Sequence, residues 1–177
     1  SPPRVERIDL ETGERRVLFD PNAGLRAAYR PPVTYLRWDI GKGRDAAGVL
    51  MRAAEPAAGP APLYINYYSC EGFLRGGEGD EWPIPELLDS GFAVVCINAV
   101  PSTGPQDAVQ EYRTGLSAVR ALVDKLAGEG VIDRSKVAMG GLSFGSEVAI
   151  WVARHSDLLA ALSIASAQSD PASYWFN

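Results

Sequence analysis

The sequence predicts an α/β fold with a mainly parallel sheet. Short apolar runs alternate with helical patterns, an order that is typical of strand–helix–strand units. The apolar runs are 63–66, 93–98, 137–139 and 160–165. The longest helical pattern runs from Pro105 to about Leu126 and is followed by Gly128 and Gly130, which favour a helix end.

Two pairs of alternating segments near the start of the chain predict antiparallel hairpins. They are 5–10 with 15–19, and 33–40 with 47–53. Arg30-Pro31-Pro32 predicts a linker, so residues 1–30 and 31–177 are predicted to be separate units. A short helix over 84–90, ending at Gly91, is expected between the first two parallel strands.

The motif Gly141-Leu142-Ser143-Phe144-Gly145 lies between an apolar run and a helical pattern that extends to about Arg154. G-x-S-x-G in this strand–turn–helix context is the nucleophile elbow of an α/β-hydrolase. Its glycines are expected because side chains there would clash with neighbouring backbone. The pattern predicts Ser143 as a catalytic nucleophile, with the Phe144 backbone N–H pointing at a developing oxyanion.

Three blocks of the chain resemble the prolyl oligopeptidase family of serine peptidases. They are 62–68, 131–145 and 154–161. The first residues, with Asp9-Leu10-Glu11-Thr12-Gly13-Glu14, are similar to the last hairpin of the β-propeller that precedes the hydrolase domain in that family. The resemblance implies a partial α/β-hydrolase sheet, from its N-terminal part through the elbow, preceded by the end of a propeller.

One branch of that family fits better than the others. The stretch Asn66 to Pro83 and the stretch Gly141 to Glu147 resemble the lasso peptide isopeptidases. The resemblance implies hydrolysis of the amide between the N-terminal amine of a threaded lasso peptide and an Asp or Glu side chain. A general oligopeptidase or acylaminoacyl peptidase, and a hydrolase-fold binding module without catalysis, are the alternatives.

Two tyrosines compete for the second oxyanion donor. Tyr68 stands at the tyrosine position of the related peptidases and is the first choice, through its phenol. Tyr67 is the runner-up, because strand alternation sends the two side chains to opposite faces. Glu147, Arg75 and Glu71 are predicted substrate-binding residues, and an acidic cluster of Glu78, Asp80 and Glu81 lies close by in the sequence. No metal or cofactor is expected.

The triad acid and base are expected outside this chain. His155 is the only histidine, and it follows Ser143 by 12 residues on the same predicted helix. A helix rises about 1.5 Å per residue, so His155 would lie roughly 15 Å or more from the serine and cannot act as its base. Asp133 and Asp170 are interpreted as turn or loop residues. A further segment or chain is therefore expected to complete both the site and the exposed edge of the sheet.

The composition limits which partners, membrane segments and cysteine sites are expected. A net charge of −5 and the absence of a basic stripe argue against nucleic acid as a partner, and no apolar run is long enough for a membrane span. Cys70 and Cys96 do not predict a disulfide framework or a zinc site. Cys96 is expected to be an inert core thiol and Cys70 a loop thiol. The compartment, bacterial cytoplasm or periplasm, is left open.

Overall fold

The computed structural model describes residues 4–21, 23–24, 31–55, 58–70, 83–101, 104 and 107–167 of the 177-residue chain. Two strands form an antiparallel hairpin, β1 (Val5–Ile8) and β2 (Arg15–Phe19). A second sheet contains β3 (Val33–Asp39), β4 (Asp45–Met51), β5 (Ala61–Tyr68), β6 (Ala93–Asn98), β7 (Ile132–Leu142) and β8 (Ala161–Ala165). The helices are α1 (Ile84–Asp89), α2 (Ala108–Gly128) and α3 (Phe144–His155).

The six-stranded sheet has the order β3-β4-β6-β5-β7-β8. Its last four strands are parallel, whereas β3–β4 and β4–β6 pair antiparallel. The predicted α/β fold is therefore confirmed as a mixed sheet flanked by helices. The hairpin β1–β2 forms its own sheet, and a propeller is not seen in the described part of the chain. The division at residue 30 and the propeller origin of the hairpin remain predictions.

The parallel strands β5, β6 and β7 lie between two apolar layers. On one face α2 and α3 cover the side chains of Leu63, Ile65, Val95 and Met139. On the other face α1 packs its Ile84 and Leu88 against Tyr64, Val94 and Cys96. Such strands are buried on both faces, and this explains why they are continuous apolar runs in the sequence.

The long helix α2 begins later than its pattern predicts. The Asp107 carboxylate accepts hydrogen bonds from the backbone N–H groups of Val109 and Gln110, at 3.0 and 3.3 Å. An N-cap aspartate pairs amides that have no partner within the helix, so the helix begins at Ala108. Pro105, where the predicted pattern begins, lies outside the described residues, and capping by Asp107 sets the start of α2.

The prediction of two separate thiols is also wrong. Cys70 and Cys96 form a disulfide with a Cα–Cα distance of 5.7 Å. Cys96 extends from β6 toward the α1 face, and the turn after β5 brings Cys70 above it. The contact joins residues 26 apart in sequence, and it depends on β5 and β6 being neighbours in the sheet. Sequence spacing alone does not reveal that pairing.

Strand β8 forms one edge of the sheet in the described residues, and all five of its residues are exposed. Leu162 and Ile164 are among the exposed large apolar side chains. Across the described ranges, no helix combines the length and apolarity needed to cross a bilayer. Within those same ranges, no group of three or more His, Cys, Asp or Glu side chains is placed to hold a metal ion.

Candidate active site

Ser143 occupies the sharp turn between β7 and α3. Its backbone has φ 53° and ψ −124°, a left-handed conformation that is costly for any residue with a side chain. The surrounding backbone holds the turn in place. The Ser143 N–H donates to the Ala165 carbonyl at 3.1 Å, and the Ser143 carbonyl accepts from the Ser146 N–H at 2.9 Å. The strain is thus fixed by contacts on both sides of the residue.

The Ser143 hydroxyl is left exposed at this turn. Serine at a helix N-cap commonly accepts a hydrogen bond from the first turn, yet here the side chain makes no capping hydrogen bond. The residue is exposed, whereas Gly141 and Gly145 on either side are buried. This geometry suits a nucleophile that must meet a substrate above the sheet.

The Phe144 backbone N–H lies in the first turn of α3. The first N–H groups of a helix have no partner within it, and the helix dipole places partial positive charge there. An amide directly after a nucleophilic serine can therefore stabilise an oxyanion that forms on the attacked carbonyl. The Phe144 ring is half-buried between Tyr68, at 5.5 Å between centroids, and Tyr112, at 5.7 Å.

The two glycines of the motif allow backbone segments to approach each other closely. A Cβ at Gly141 would lie 2.2 Å from the Gly145 carbonyl carbon, and a Cβ at Gly145 would lie 2.1 Å from the Tyr67 carbonyl oxygen. Neither contact is possible without backbone movement. The expectation that side chains would clash at both positions agrees with this packing of α3 against β5.

We predict that Gly145→Ala lowers the rate of active-site labelling by a fluorophosphonate about 100-fold or more in the full-length protein. The added methyl group must push α3 away from Tyr67, and a displacement of about 1 Å at a reacting group can cost that much. Gly128→Ala is the matched control, because a Cβ there meets nothing within 4 Å. Equal labelling of both variants and the wild type would contradict the prediction.

Hydrogen bonds of the Ser146 side chain connect the elbow to the neighbouring strand β8. Its buried hydroxyl lies 2.5 Å from the Gly141 carbonyl and 2.8 Å from the Ala165 carbonyl, and it accepts from the Ala165 N–H at 3.0 Å. Since one hydroxyl has one proton, it donates to one carbonyl at a time. Residues before and after the nucleophile are thereby tied to the end of β8.

Ser146→Ala is expected to loosen this connection. Loss of the hydroxyl leaves a part-buried amide and two carbonyls without that partner, at a cost of about 1–3 kcal/mol. Amide hydrogen exchange in a peptide spanning 161–167 should accelerate about 10-fold or more. Ser156→Ala, which removes a hydroxyl bonded to Val152 O at the other end of α3, should leave that peptide unchanged. Unchanged exchange in Ser146→Ala would refute the prediction.

The two candidate tyrosines lie in different surroundings. Tyr67 is 2% exposed, and its phenol is close enough to α2 that a Cβ at Gly115 would lie 3.3 Å from it. Burial raises the pKa of Tyr67 to about 12. Tyr68 is 48% exposed and its ring meets Phe144 edge-on. These positions favour Tyr68 over Tyr67 as an oxyanion donor.

Glu147 has a protein partner. The side chain is 8% exposed, and its carboxylate accepts a hydrogen bond of 2.6 Å from the Tyr112 phenol. Tyr112 also stacks on Phe144. Its contacts with Glu147 and Phe144 therefore stabilise the first turn of α3. A contact between Glu147 and substrate remains a prediction. Glu71 and Arg75, the acidic cluster and Asp170 lie outside the described residues.

His155 and Asp133 have surroundings that fit structural roles. The His155 ring stacks on the Trp151 ring in the last turn of α3, with 3.8 Å between the ring centroids. Asp133 accepts from both the side chain and the backbone N–H of Ser135, and it pairs with Lys136 at 3.1 Å. The Ser135 hydroxyl is the main cause that lowers the pKa of Asp133 to about 2.

The class follows from the fold: the mixed sheet and its flanking helices match solved structures of prolyl oligopeptidase-family peptidases. A puromycin-hydrolyzing peptidase of Mycobacterium tuberculosis matches it with a TM-score of 0.70 at 20% identity, over 98% of this chain and 28% of that one. At that identity the likeness concerns the fold alone. No family model matches the chain.

Within that class, the chain is similar in sequence to the lasso peptide isopeptidase AtxE2 of Asticcacaulis excentricus. The chain is 34% identical to it over 160 residues, 82% of this chain and 23% of the relative. The apo structure of AtxE2 matches with a TM-score of 0.82 at 30% identity, over 94% of this chain and 28% of that one. A serine-to-alanine variant with Astexin3-dC4 bound matches with a TM-score of 0.78 at 32% identity, over 91% and 27%. The resemblance found in the sequence is confirmed, for a chain that spans about a quarter of these relatives.

Sequence reasoning missed three parts of this site. They are the Ser146 hydroxyl, the Tyr112 phenol and the Cys70–Cys96 disulfide. Ser146 offered one signal, a polar residue among the apolar positions of the elbow helix. The other two depend on contacts between segments far apart in sequence, which no local pattern records.

Proposed function

We propose that this chain carries the nucleophile and the oxyanion hole of a serine isopeptidase that linearises threaded lasso peptides. The observation that carries the proposal is Ser143, a strained and exposed serine at a strand–helix turn, with its hydroxyl unused by the helix. The identity of 34% to a lasso peptide isopeptidase supports the choice of substrate.

The proposed reaction proceeds through an acyl-enzyme. The Ser143 oxygen attacks the carbonyl carbon of the isopeptide bond while a base takes its proton. The tetrahedral intermediate collapses, the C–N bond breaks, and the peptide's N-terminal amine leaves with a proton. Water then hydrolyses the ester on Ser143 and restores the Asp or Glu side chain as a carboxylate. The ring opens, and the peptide becomes linear.

Two donors would stabilise the intermediate in this scheme. The Phe144 N–H acts from the start of α3, and the Tyr68 phenol acts from the end of β5. Tyr68 is half-exposed beside Phe144, which supports this assignment. Both donors are fixed before substrate arrives, so they need no reorganisation when charge develops.

The base and its acidic partner are proposed to come from a segment outside this chain. Such a segment would add to the exposed edge at β8, next to the turn that holds Ser143. His155 is not the proposed base, because it stacks on Trp151 at the opposite end of α3. The peptide-binding role of Glu147, Arg75 and Glu71 belongs to the same proposal.

The proposal is tested with the full-length protein and two kinds of substrate. A threaded lasso peptide should gain the mass of one water and become accessible to carboxypeptidase, whereas its chemically unthreaded counterpart should react more slowly. Linear acyl-aminoacyl and prolyl peptides serve as the comparison. Hydrolysis of the linear peptides alone would identify a general oligopeptidase. Absence of hydrolysis and of fluorophosphonate labelling would favour a binding module.

A further inference from the structure

We propose that Cys70 and Cys96 are positioning residues, whose disulfide holds Tyr68 in the conformation that binds the oxyanion. The inference rests on the proposed function, in which Tyr68 is the second oxyanion donor. It adds a covalent support for that donor.

Tyr68 has a strained backbone. Its φ is 128°, in the region that residues with a side chain rarely adopt. A conformation of this kind costs about 1–3 kcal/mol and persists only where neighbouring contacts enforce it. A segment free to relax would move φ to negative values and carry the phenol to a new place. Contacts with neighbouring residues must therefore restrain the end of β5.

Two hydrogen bonds tie this segment to the end of β6. The Tyr68 carbonyl accepts from the Ala99 N–H at 2.8 Å. The Cys70 N–H donates to the Asn98 side-chain oxygen at 3.0 Å. Because Asn98 is exposed, water can compete for the second bond. These two contacts alone leave the segment open to local fraying.

The disulfide adds a restraint that water cannot replace. It joins Cys70, two residues after Tyr68, to Cys96 within β6. Cys96 is fully buried, and its strand pairs with β4 on one side and β5 on the other, so the anchor point is rigid. The Cys96 sulfur also contacts the Ser69 carbonyl oxygen at 3.5 Å. Ser69 and Cys70, the two residues after the strained φ, are thus held against β6.

The opposite side of Tyr68 packs on the elbow. A Cβ at Gly145 would lie 3.3 Å from the Tyr68 Cβ, and the two rings of Tyr68 and Phe144 meet at 5.5 Å. The strained tyrosine is therefore fixed between the nucleophile helix and the disulfide-bonded segment. Loss of the disulfide should shift the phenol relative to the Phe144 N–H, which lowers stabilisation of the oxyanion.

The test is a double-mutant cycle in the full-length protein. The disulfide is removed by Cys70→Ala with Cys96→Ala, in the wild-type and in the Tyr68→Phe background, and the rate constant for inactivation by a fluorophosphonate is measured. Rates are normalised to the fraction of protein that is finally labelled, so unfolded protein does not count. In a second route, a trialkylphosphine reduces the disulfide of the wild type, and water supplies the oxygen and two protons that give the phosphine oxide and two thiols.

We expect disulfide loss to slow inactivation about 10-fold when Tyr68 is present and less than about 2-fold when phenylalanine replaces it. Reduction should reproduce the loss in the wild type and have no effect on the cysteine variant. Equal losses in both backgrounds, or no loss in the wild-type background, would overturn this inference alone. A wild-type protein that takes no label on Ser143 would overturn the proposed function, and this inference with it.

Discussion

Replacement of Ser143 by alanine is expected to lower the turnover of the full-length protein about 10⁴-fold or more. The change removes the only atom that forms the acyl-enzyme, and a nucleophile and its base act as a unit, so the remaining groups recover little of the rate. The hydroxyl makes no capping hydrogen bond, so α3 should keep its stability without it. Steady-state hydrolysis of the lasso peptide and mass spectrometry after fluorophosphonate treatment are the measurements.

The control for this experiment is Ser117→Ala. Ser117 is an exposed serine of α2, and its hydroxyl bonds to the Arg113 carbonyl one turn earlier. It should retain turnover and take one label per chain. A Ser143→Ala protein that still turns over the peptide, or still takes the label, would mean that another residue is the nucleophile.

Tyr68→Phe should reduce kcat about 10²–10³-fold while KM changes little. The phenol would meet the oxyanion only after attack on the carbonyl, and loss of one preorganised donor costs about 2.7–4 kcal/mol in the transition state. The ring contact with Phe144 is kept by phenylalanine, so the packing of the site should not change. Pre-steady-state measurement of acylation separates this effect from product release.

Tyr67→Phe is the matched variant for that test. It removes the neighbouring phenol, which is buried toward α2 and away from solvent. We expect thermal stability to change but kcat to stay within about 3-fold of the wild type, because the phenol is not available to substrate. The reverse result, with Tyr67→Phe slow and Tyr68→Phe fast, would exchange the two assignments.

The fold could be predicted from the sequence because each helix or strand buries apolar residues at a regular spacing. Apolar residues recur at helical spacing along α2, and short, mostly apolar runs mark β5 and β6. Element ends were harder to predict. Strand β7 extends over 11 residues, although residues 133–136 within it are polar, since β5 pairs with Ile132 as well as with 137–141. The hydrophobicity of a segment predicts which of its residues are buried. It does not predict how many residues pair with the neighbouring strand.

The site was accessible in part for a similar reason. A nucleophile elbow is a local structure, so Ser143 and Phe144 are encoded within five consecutive residues. Strand alternation separated Tyr67 from Tyr68 and left the choice between them open until the two faces of β5 were known. The contact of Glu147 with Tyr112 spans 35 residues and depends on how α2 crosses α3. Contacts of that kind need the packed structure.

The Cys70–Cys96 bond sets a condition on where the protein can work. Glutathione and thioredoxin keep protein thiols reduced in the cytosol, whereas disulfides form and persist in the bacterial periplasm. Of the two compartments that the sequence leaves open, the bond favours the periplasm. Recombinant material made in a reducing cytosol would therefore have to be oxidised before its activity is judged.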